Sequence, residues 1–436
     1  MAQYRTDINK LDNQHLKTRY EVMMLSDRLS PSGTMTDAFG RMRISQPYTL
    51  FDSTHRYFEN AMFVTDTSGT ANTVHQTNES AIDMNVGATS GDRVYRESKR
   101  TFVYQPGKSL LIMNTFVMNA QKENLRQRVG YFDTDNGVYF ENDGTGNYLV
   151  LRSYVTGSVV NTRIAQANWN HDKFDGTGYS SQDGPEHQEP IDISKSNIFW
   201  FDMEWLGVGD VRCGFVIDGR PVIAHVFHND NIKPTTYMTS ATLPIRYEIE
   251  NTGTTTSASK MKQICSSVMS EGGYEIKGRS RTIGRAFSDP KDLPTAGTFT
   301  PVISIRIKDG TPNAVAIPRA ASLFGVTNNM NYRYKIVTGG TLTGASWTSV
   351  EVDSFVEYDI SATDITGGTD KSQGYLRVSA GAGAAEASFS GDNIFDFQLE
   401  RNPFVVSNKG YIFSLVATGA TNGADALGHI SWEEIQ

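Results

Sequence analysis

The stretch NIFWFDMEWLGVGDVRCGFVIDGRPVIAHVFHND, residues 197–230, decides the fold class. In its first segment Phe199, Phe201, Met203 and Trp205 fall on one side, and Ile198, Trp200, Asp202 and Glu204 on the other. That is the period of 2 of a β-strand. Gly207 and Gly209 interrupt the run, and Val211, Cys213, Phe215 and Ile217 restart it as a second apolar face. Asp218-Gly219, a pair suited to positive φ at both positions, then turns the chain into PVIAHVF. Strands joined by turns too short to hold a helix form antiparallel sheet.

Upstream the same texture continues. KSLLIMNTFVMN (108–119), QRVGYFD (127–133), GVYFEND (137–143), NYLVLRSYV (147–155) and SVVNTRIA (158–165) follow one another as strands. Asp135-Asn136-Gly137, Asp143-Gly144-Thr145-Gly146 and Thr156-Gly157 supply the turn chemistry. Downstream, residues 244–275 offer two readings. Met261, Ile264, Cys265 and Val268 have helical spacing, but IRYEIE and the break Asn251-Thr252-Gly253 favour a β-hairpin. Residues 277–300 are basic, then rich in Pro and Gly without periodicity, and read as a linker. PVISIRIKDG opens a second alternating set, with Ile303, Ile305 and Ile307 on one face, and NYRYKIVTGG, SFVEYDIS, YLRVSAG, NIFDFQLERN and YIFSLVATGA continue it. SAGAGAAEAS (379–388) reads as a flexible hairpin tip.

The N-terminal part differs. Ile8, Leu11, His15, Thr18, Val22, Leu25 and Leu29 keep an a/d heptad spacing until Pro31 and Gly33 end it. One amphipathic helix lying on its own protein and a short inter-chain coiled coil both satisfy that pattern. TDAFGRMRISQPYTLFDSTHRYF (36–58) is irregular and reads as an arm that docks on a neighbour. The expected organisation is an assembly arm over 1–58, a jelly-roll or lectin-like antiparallel β-sandwich over 59–280, a linker over 281–300 and a second β-sandwich over 301–436.

The chain has 436 residues, with 40 Lys+Arg against 48 Asp+Glu and a net charge of −8. An acidic balance without a basic block argues against a dedicated nucleic-acid binder. Two cysteines, Cys213 and Cys265, are too few for a disulfide scaffold or a structural zinc site. The polar start MAQYRTDINKLDNQH gives no signal peptide, and no apolar run approaches the ~18–20 residues of a membrane span. Synthesis and folding in a reducing cytoplasm are expected.

Candidate chemistry is sparse. Asp202 and Glu204, two apart on a strand face, would bring their carboxyls within roughly 6–8 Å, compatible with a glycosidase acid/base pair. Jelly-roll β-glucanases carry Glu-x-Asp-x-x-Glu on such a strand. Here the order is Asp-x-Glu, Leu206 and Gly207 stand where a third carboxylate would fall, and Asp210 lies beyond the glycine turn. The competing reading is a polar face neutralised by a cross-strand arginine such as Arg212. The segment 170–190 gathers Asp172, Asp175, Asp183 and Glu186 with two histidines, but without the D-x-D-x-DG spacing of a calcium loop. His225 and His228, three apart, face opposite ways on a strand and cannot readily share a metal. No G-x-S-x-G, Walker loop or G-x-G-x-x-G in the right context is present. No residue is therefore assigned as catalytic, cofactor-binding or metal-ligating, and no cofactor is expected.

TDAFGRMRISQPYTLFDSTHRYF, NHDKFDGTG with NIFWFDMEWLGVGDVRCGFVIDGRPVIAHVFHNDN, and RYEIENTG with MKQICSSVMSEGGYE resemble structural proteins of marine tailed bacteriophages, including those of cyanophages. The resemblance covers most of residues 36–280 and extends more loosely over NYRYKIVTGGTLTGASW. It implies a non-enzymatic virion component with other virion proteins as partners. The expected place is the tail, as a trimeric fibre, spike or baseplate-peripheral protein projecting toward host-surface polysaccharide. A head fibre or capsid decoration protein is the alternative, and a tail-borne glycan depolymerase the second.

Overall fold

The computed structural model describes residues 46–177, 190–275, 278–311, 313–379, 386–390, 398–401, 403–404 and 411–435. The heptad segment, Asp183 and Glu186 lie outside them. The chain divides into two units, Met1–Pro47 and Tyr48–Gln436, and the fold below is that of the second. Among the described residues there is no α-helix, only a 3-10 turn at Gln166–Asn168, and no helix long and apolar enough to cross a membrane. The protein is mainly β.

Fifteen strands build the first pair of sheets: β1 (Pro47–Ser53), β2 (Phe63–Ser68), β3 (Asn72–Gln76), β4 (Ala81–Val86), β5 (Arg93–Ser98), β6 (Ser109–Val117), β7 (Leu125–Phe132), β8 (Gly137–Asn142), β9 (Asn147–Ser153), β10 (Val160–Ala165), β11 (Asn197–Met203), β12 (Val211–Ile217), β13 (Arg220–Phe227), β14 (Ile245–Asn251) and β15 (Ser259–Glu271). One sheet runs β13-β12-β11-β6-β15-β4-β3, with β1 also on β15, and the other runs β10-β9-β8-β7-β14-β5-β2. Every pairing given in register is antiparallel.

The two sheets are held face to face by the residues that alternation placed inside. Phe199, Phe201 and Phe215 from the first sheet and Phe140 and Tyr131 from the second are buried in one cluster. Phe140 meets Phe215 edge-on with ring centroids 5.2 Å apart and Phe199 at 6.0 Å. Aromatic pairs of this geometry contribute about 0.5–1.5 kcal/mol beyond the area they bury. The sandwich follows from the period-2 sequence, including the β12–β13 turn, where Asp218 and Gly219 adopt φ of 51° and 76°. Tyr131, wholly buried, donates its hydroxyl to Phe102 O and Ala241 O and accepts from Leu243 N–H.

The second half contributes β16 (Arg279–Gly284), β17 (Lys291–Leu293), β18 (Thr300–Ile307), β19 (Val315–Gly325), β20 (Met330–Thr338), β21 (Thr341–Thr343), β22 (Thr348–Ser349), β23 (Val356–Asp359), β24 (Asp364–Thr366), β25 (Thr369–Val378), β26 (Glu386–Ser390), β27 (Phe413–Gly419) and β28 (Ala424–Ile435). A five-stranded sheet, β16-β28-β19-β26 with β17 on β28, and a six-stranded one, β22-β23-β18-β27-β20-β25, share a core. Ile303, Ile305 and Leu415 from one sheet and Leu323, Ile430 and Trp432 from the other lie in it.

Three expectations are corrected. The arm does not extend to residue 58: Pro47–Ser53 is β1, paired with β15, and Phe51 and His55 are buried. Residues 244–275 form strands but no hairpin, since β14 pairs with β7 and β5 while β15 pairs with β4 and β6 across the sandwich. The stretch read as a linker carries β16 and β17, both on β28. They are edge strands with mostly solvent-facing residues, so the apolar signal reduces to Ile283 and Leu293. Most of the stretch read as a hairpin tip, residues 380–385, lies outside the described residues; the strands on either side of it, β25 and β26, pair with β20 and β19. The sequence reading also passed over β19 and β28, which pair along ten residues with a register shift at Pro318/Ala320.

Candidate functional site

Register places Asp202 directly opposite Arg212 on the outer face of β11–β12. The guanidinium donates to Asp202 Oδ2 in a short ion pair. Glu204 lies one residue past β11 and is exposed. Its backbone N–H donates to Asp210 O at 3.2 Å, folding the Gly207–Gly209 turn back. Asp210 is therefore not carried away. It shares with Asp202, Glu204, Arg212, His171 and His228 an open groove of about 440 Å³. Both Asp210 oxygens are engaged, Oδ2 by His228 Nδ1 at 2.8 Å and Oδ1 by Asn229 N–H at 3.1 Å.

The histidines separate as strand geometry requires. His225 is buried and its Nδ1 accepts from Asn170 N–H at 3.2 Å. Burial, helped by His171 and His228, pushes its pKa down to about 4. His228 is exposed beside Asp210. Asp172 and Asp175 serve as local turn caps, to Phe174 N–H and Thr177 N–H respectively. Among the described residues no group of three or more His, Cys, Asp or Glu could hold a metal ion.

A second locus lies on the outer face of the other sheet, and sequence reading missed it. Antiparallel register sets Arg93, Tyr95 and Glu97 of β5 against Glu250, Glu248 and Arg246 of β14, and Arg126 and Arg128 of β7 against Glu250 and Glu248. The face is a ladder of opposite charges. Arg246 donates to Glu97 at 2.8 Å and to Glu248 at 2.5 Å. Arg128 pairs with Glu248, and Tyr95 donates its hydroxyl to Glu250 at 2.7 Å.

The C-terminal half closes over one end of this ladder. Arg401 donates its N–H to Lys99 O at 2.8 Å, and its guanidinium lies 3.5 Å from the wholly buried Glu97. Gln398 reaches Thr101 O at 3.1 Å, and Val103 packs with Val315, Ile317 and Ile435. Between the halves remains a cavity of about 310 Å³. The available signal was the alternation of charge in RVYRE (93–97) and IRYEIE (245–250). An alternating charged face is the pattern of a solvated strand, so it did not announce a covered one.

No protein-family model matches the chain, and no curated protein matches it. Among solved structures it is similar to a glycoside hydrolase family protein from Mycobacterium thermorestibile, at 8% identity over 50% of this chain and 99% of that one, TM-score 0.34. A family 16 glycosyl hydrolase from Mycobacterium smegmatis shows 10% identity over 51% and 100%, TM-score 0.34. The carbohydrate recognition domain of Emp47p shows 9% over 55% and 100%, TM-score 0.30. At these scores the likenesses carry no argument about activity.

Proposed function

We propose that this chain is a non-catalytic structural protein of a tailed-bacteriophage virion, a tail fibre, spike or baseplate-peripheral component. In this reading it is made in the host cytoplasm and carried in the particle as a homotrimer. Residues 1–45 anchor it to other virion proteins. A jelly-roll, lectin-like sandwich and a second β-sandwich project toward host-surface polysaccharide. The phage resemblance of residues 36–280 supports the setting. The observation that carries the non-catalytic part is the Asp202–Arg212 ion pair across the β11–β12 register. Asp202 Oδ2 is taken up by the Arg212 guanidinium across the strands rather than presented to a leaving group. Head fibre or capsid decoration is the alternative within the same class.

The groove itself favours a second reading. Asp210 joins Asp202 and Glu204 there and supplies the third carboxylate that the linear sequence lacks, so a glycan depolymerase is the competing activity. Reducing-sugar release from purified host-envelope polysaccharide separates the two. The wild-type protein is expected to release none. Sustained turnover that Asp202→Asn with Glu204→Gln abolishes would establish the hydrolase instead, because loss of an acid or nucleophile costs roughly 10²–10⁴-fold.

A further inference from the structure

The cavity at the junction is built by both halves: Asp66, Arg93 and Tyr95 on one side, Lys308, Thr311 and Phe404 on the other. Its volume of about 310 Å³ is at the small end of ligand sites, roughly 300–1,000 Å³. Two features specify what it would take. The first is charge. Arg93 is matched by Asp66 at 3.0 Å, and the sealed Arg246 and Arg401 by Glu97 and Asp133. Lys308 is left over. Its ammonium is held by the main-chain carbonyls of Ser354 at 2.6 Å and Glu351 at 3.3 Å, and among the described residues no carboxylate pairs with it. Among the described residues the lining thus sets four cations, Arg93, Arg246, Lys308 and Arg401, against three carboxylates, Asp66, Glu97 and Asp133.

The second feature is shape and polarity. The rings of Tyr95 and Phe404 stand 6.5 Å apart, tilted by 42°, and both line the cavity. Thr134 and Thr311 line it too, the Thr311 hydroxyl donating to Lys308 O at 2.9 Å. A ligand that fits is a compact ring with hydroxyls and a single negative group. We propose that the junction cavity binds an acidic sugar residue. Its anion is balanced by Lys308, with the half-exposed Arg93, already paired with Asp66, as a further donor, and its ring lies against Tyr95 and Phe404. That the ligand is a saccharide rests on the glycan-contact reading above, whereas its charge follows from the cavity alone.

Titration calorimetry of the full chain with glucuronate, glucose and inorganic phosphate tests this. Glucuronate is expected to bind saturably, at least about ten-fold tighter than glucose or phosphate, and more weakly as salt is raised. Lys308→Gln and, separately, Arg93→Gln are expected to weaken it about ten-fold with unchanged Tm. Equal affinity for glucose and glucuronate, no saturable binding, or unchanged binding in both variants would overturn the inference. Phosphate binding as tightly as glucuronate would overturn the saccharide assignment. Particle content is measured separately, so a protein found in virions that binds no acidic sugar defeats this inference and leaves the virion reading standing.

Discussion

The outer face of β11–β12 and the outer face of β5–β14 carry the same ingredients, carboxylates set opposite guanidiniums by antiparallel register. At Asp202–Arg212 the arginine side chain is 55% exposed. At Glu97–Arg246 the two side chains are 0% and 7% exposed. The first pair is screened by water and holds no other element in place. The second is sealed by the C-terminal half, so each charge depends on the others for compensation. Identical residue types thus give an adaptable surface in one place and a structural joint in the other. What decides is whether another part of the chain covers them.

The largest expected effect follows from the joint. Glu97→Ala removes the anion shared by Arg246 and Arg401 and leaves two buried cations short of a partner. A loss of about 3–5 kcal/mol in urea unfolding is expected, and a loss below about 1 kcal/mol would mean that the joint is no more than the surface pair. Next comes the corrected boundary of the arm. Phe51 of β1 lies against Phe63 and Phe102 at 5.9 and 5.0 Å. Phe51→Ala should cost about 3 kcal/mol, and truncation through Phe58 should destabilise the protein at least as much. Removal of residues 1–45 is expected to leave the Tm of the β-structure in place.

A smaller effect is set by pH. His55, wholly buried, has its pKa pushed down to about 4, first by burial and then by Arg96, and His225 behaves likewise. Both are neutral in the folded protein at pH values where the unfolded chain, titrating near 6.5, already binds the proton. Their contribution is intact above pH 6.5 and is lost as pH falls toward 4. Unfolding measured across that window should show a steeper decline for the wild type than for a His55→Gln, His225→Gln variant. Parallel curves would remove the histidines from the account. The smallest effect belongs to the open face: a double-mutant cycle between Asp202→Asn and Arg212→Gln should give a coupling under about 1 kcal/mol.

This contrast also explains what could be read in advance. Strands β11, β12 and β13 were legible because one face is apolar, the other polar, and Asp218-Gly219 marks the turn. The pairing Asp202↔Arg212 followed from the same register. The β14–β15 segment gave the strands but not their partners, because a turn-like Asn251-Thr252-Gly253 reads the same whether the chain doubles back or crosses to the facing sheet. The junction was illegible for a different reason. Its residues come from β2, β5, β14, β18, the turns that follow β7 and β18, and Arg401, Pro403 and Phe404, and nothing local to RVYRE says that Arg401 will cover it. β16 and β17 were lost because edge strands need few apolar residues.

The central claim is that this is an assembled virion component rather than a free enzyme. Mass spectrometry and density mapping of particles purified from a lysate in which the chain is expressed test this most directly. The account predicts the chain in the particle at a fixed stoichiometry, in three-fold groups on the tail. Its absence from particles and presence in the lysate as a soluble protein would contradict the claim.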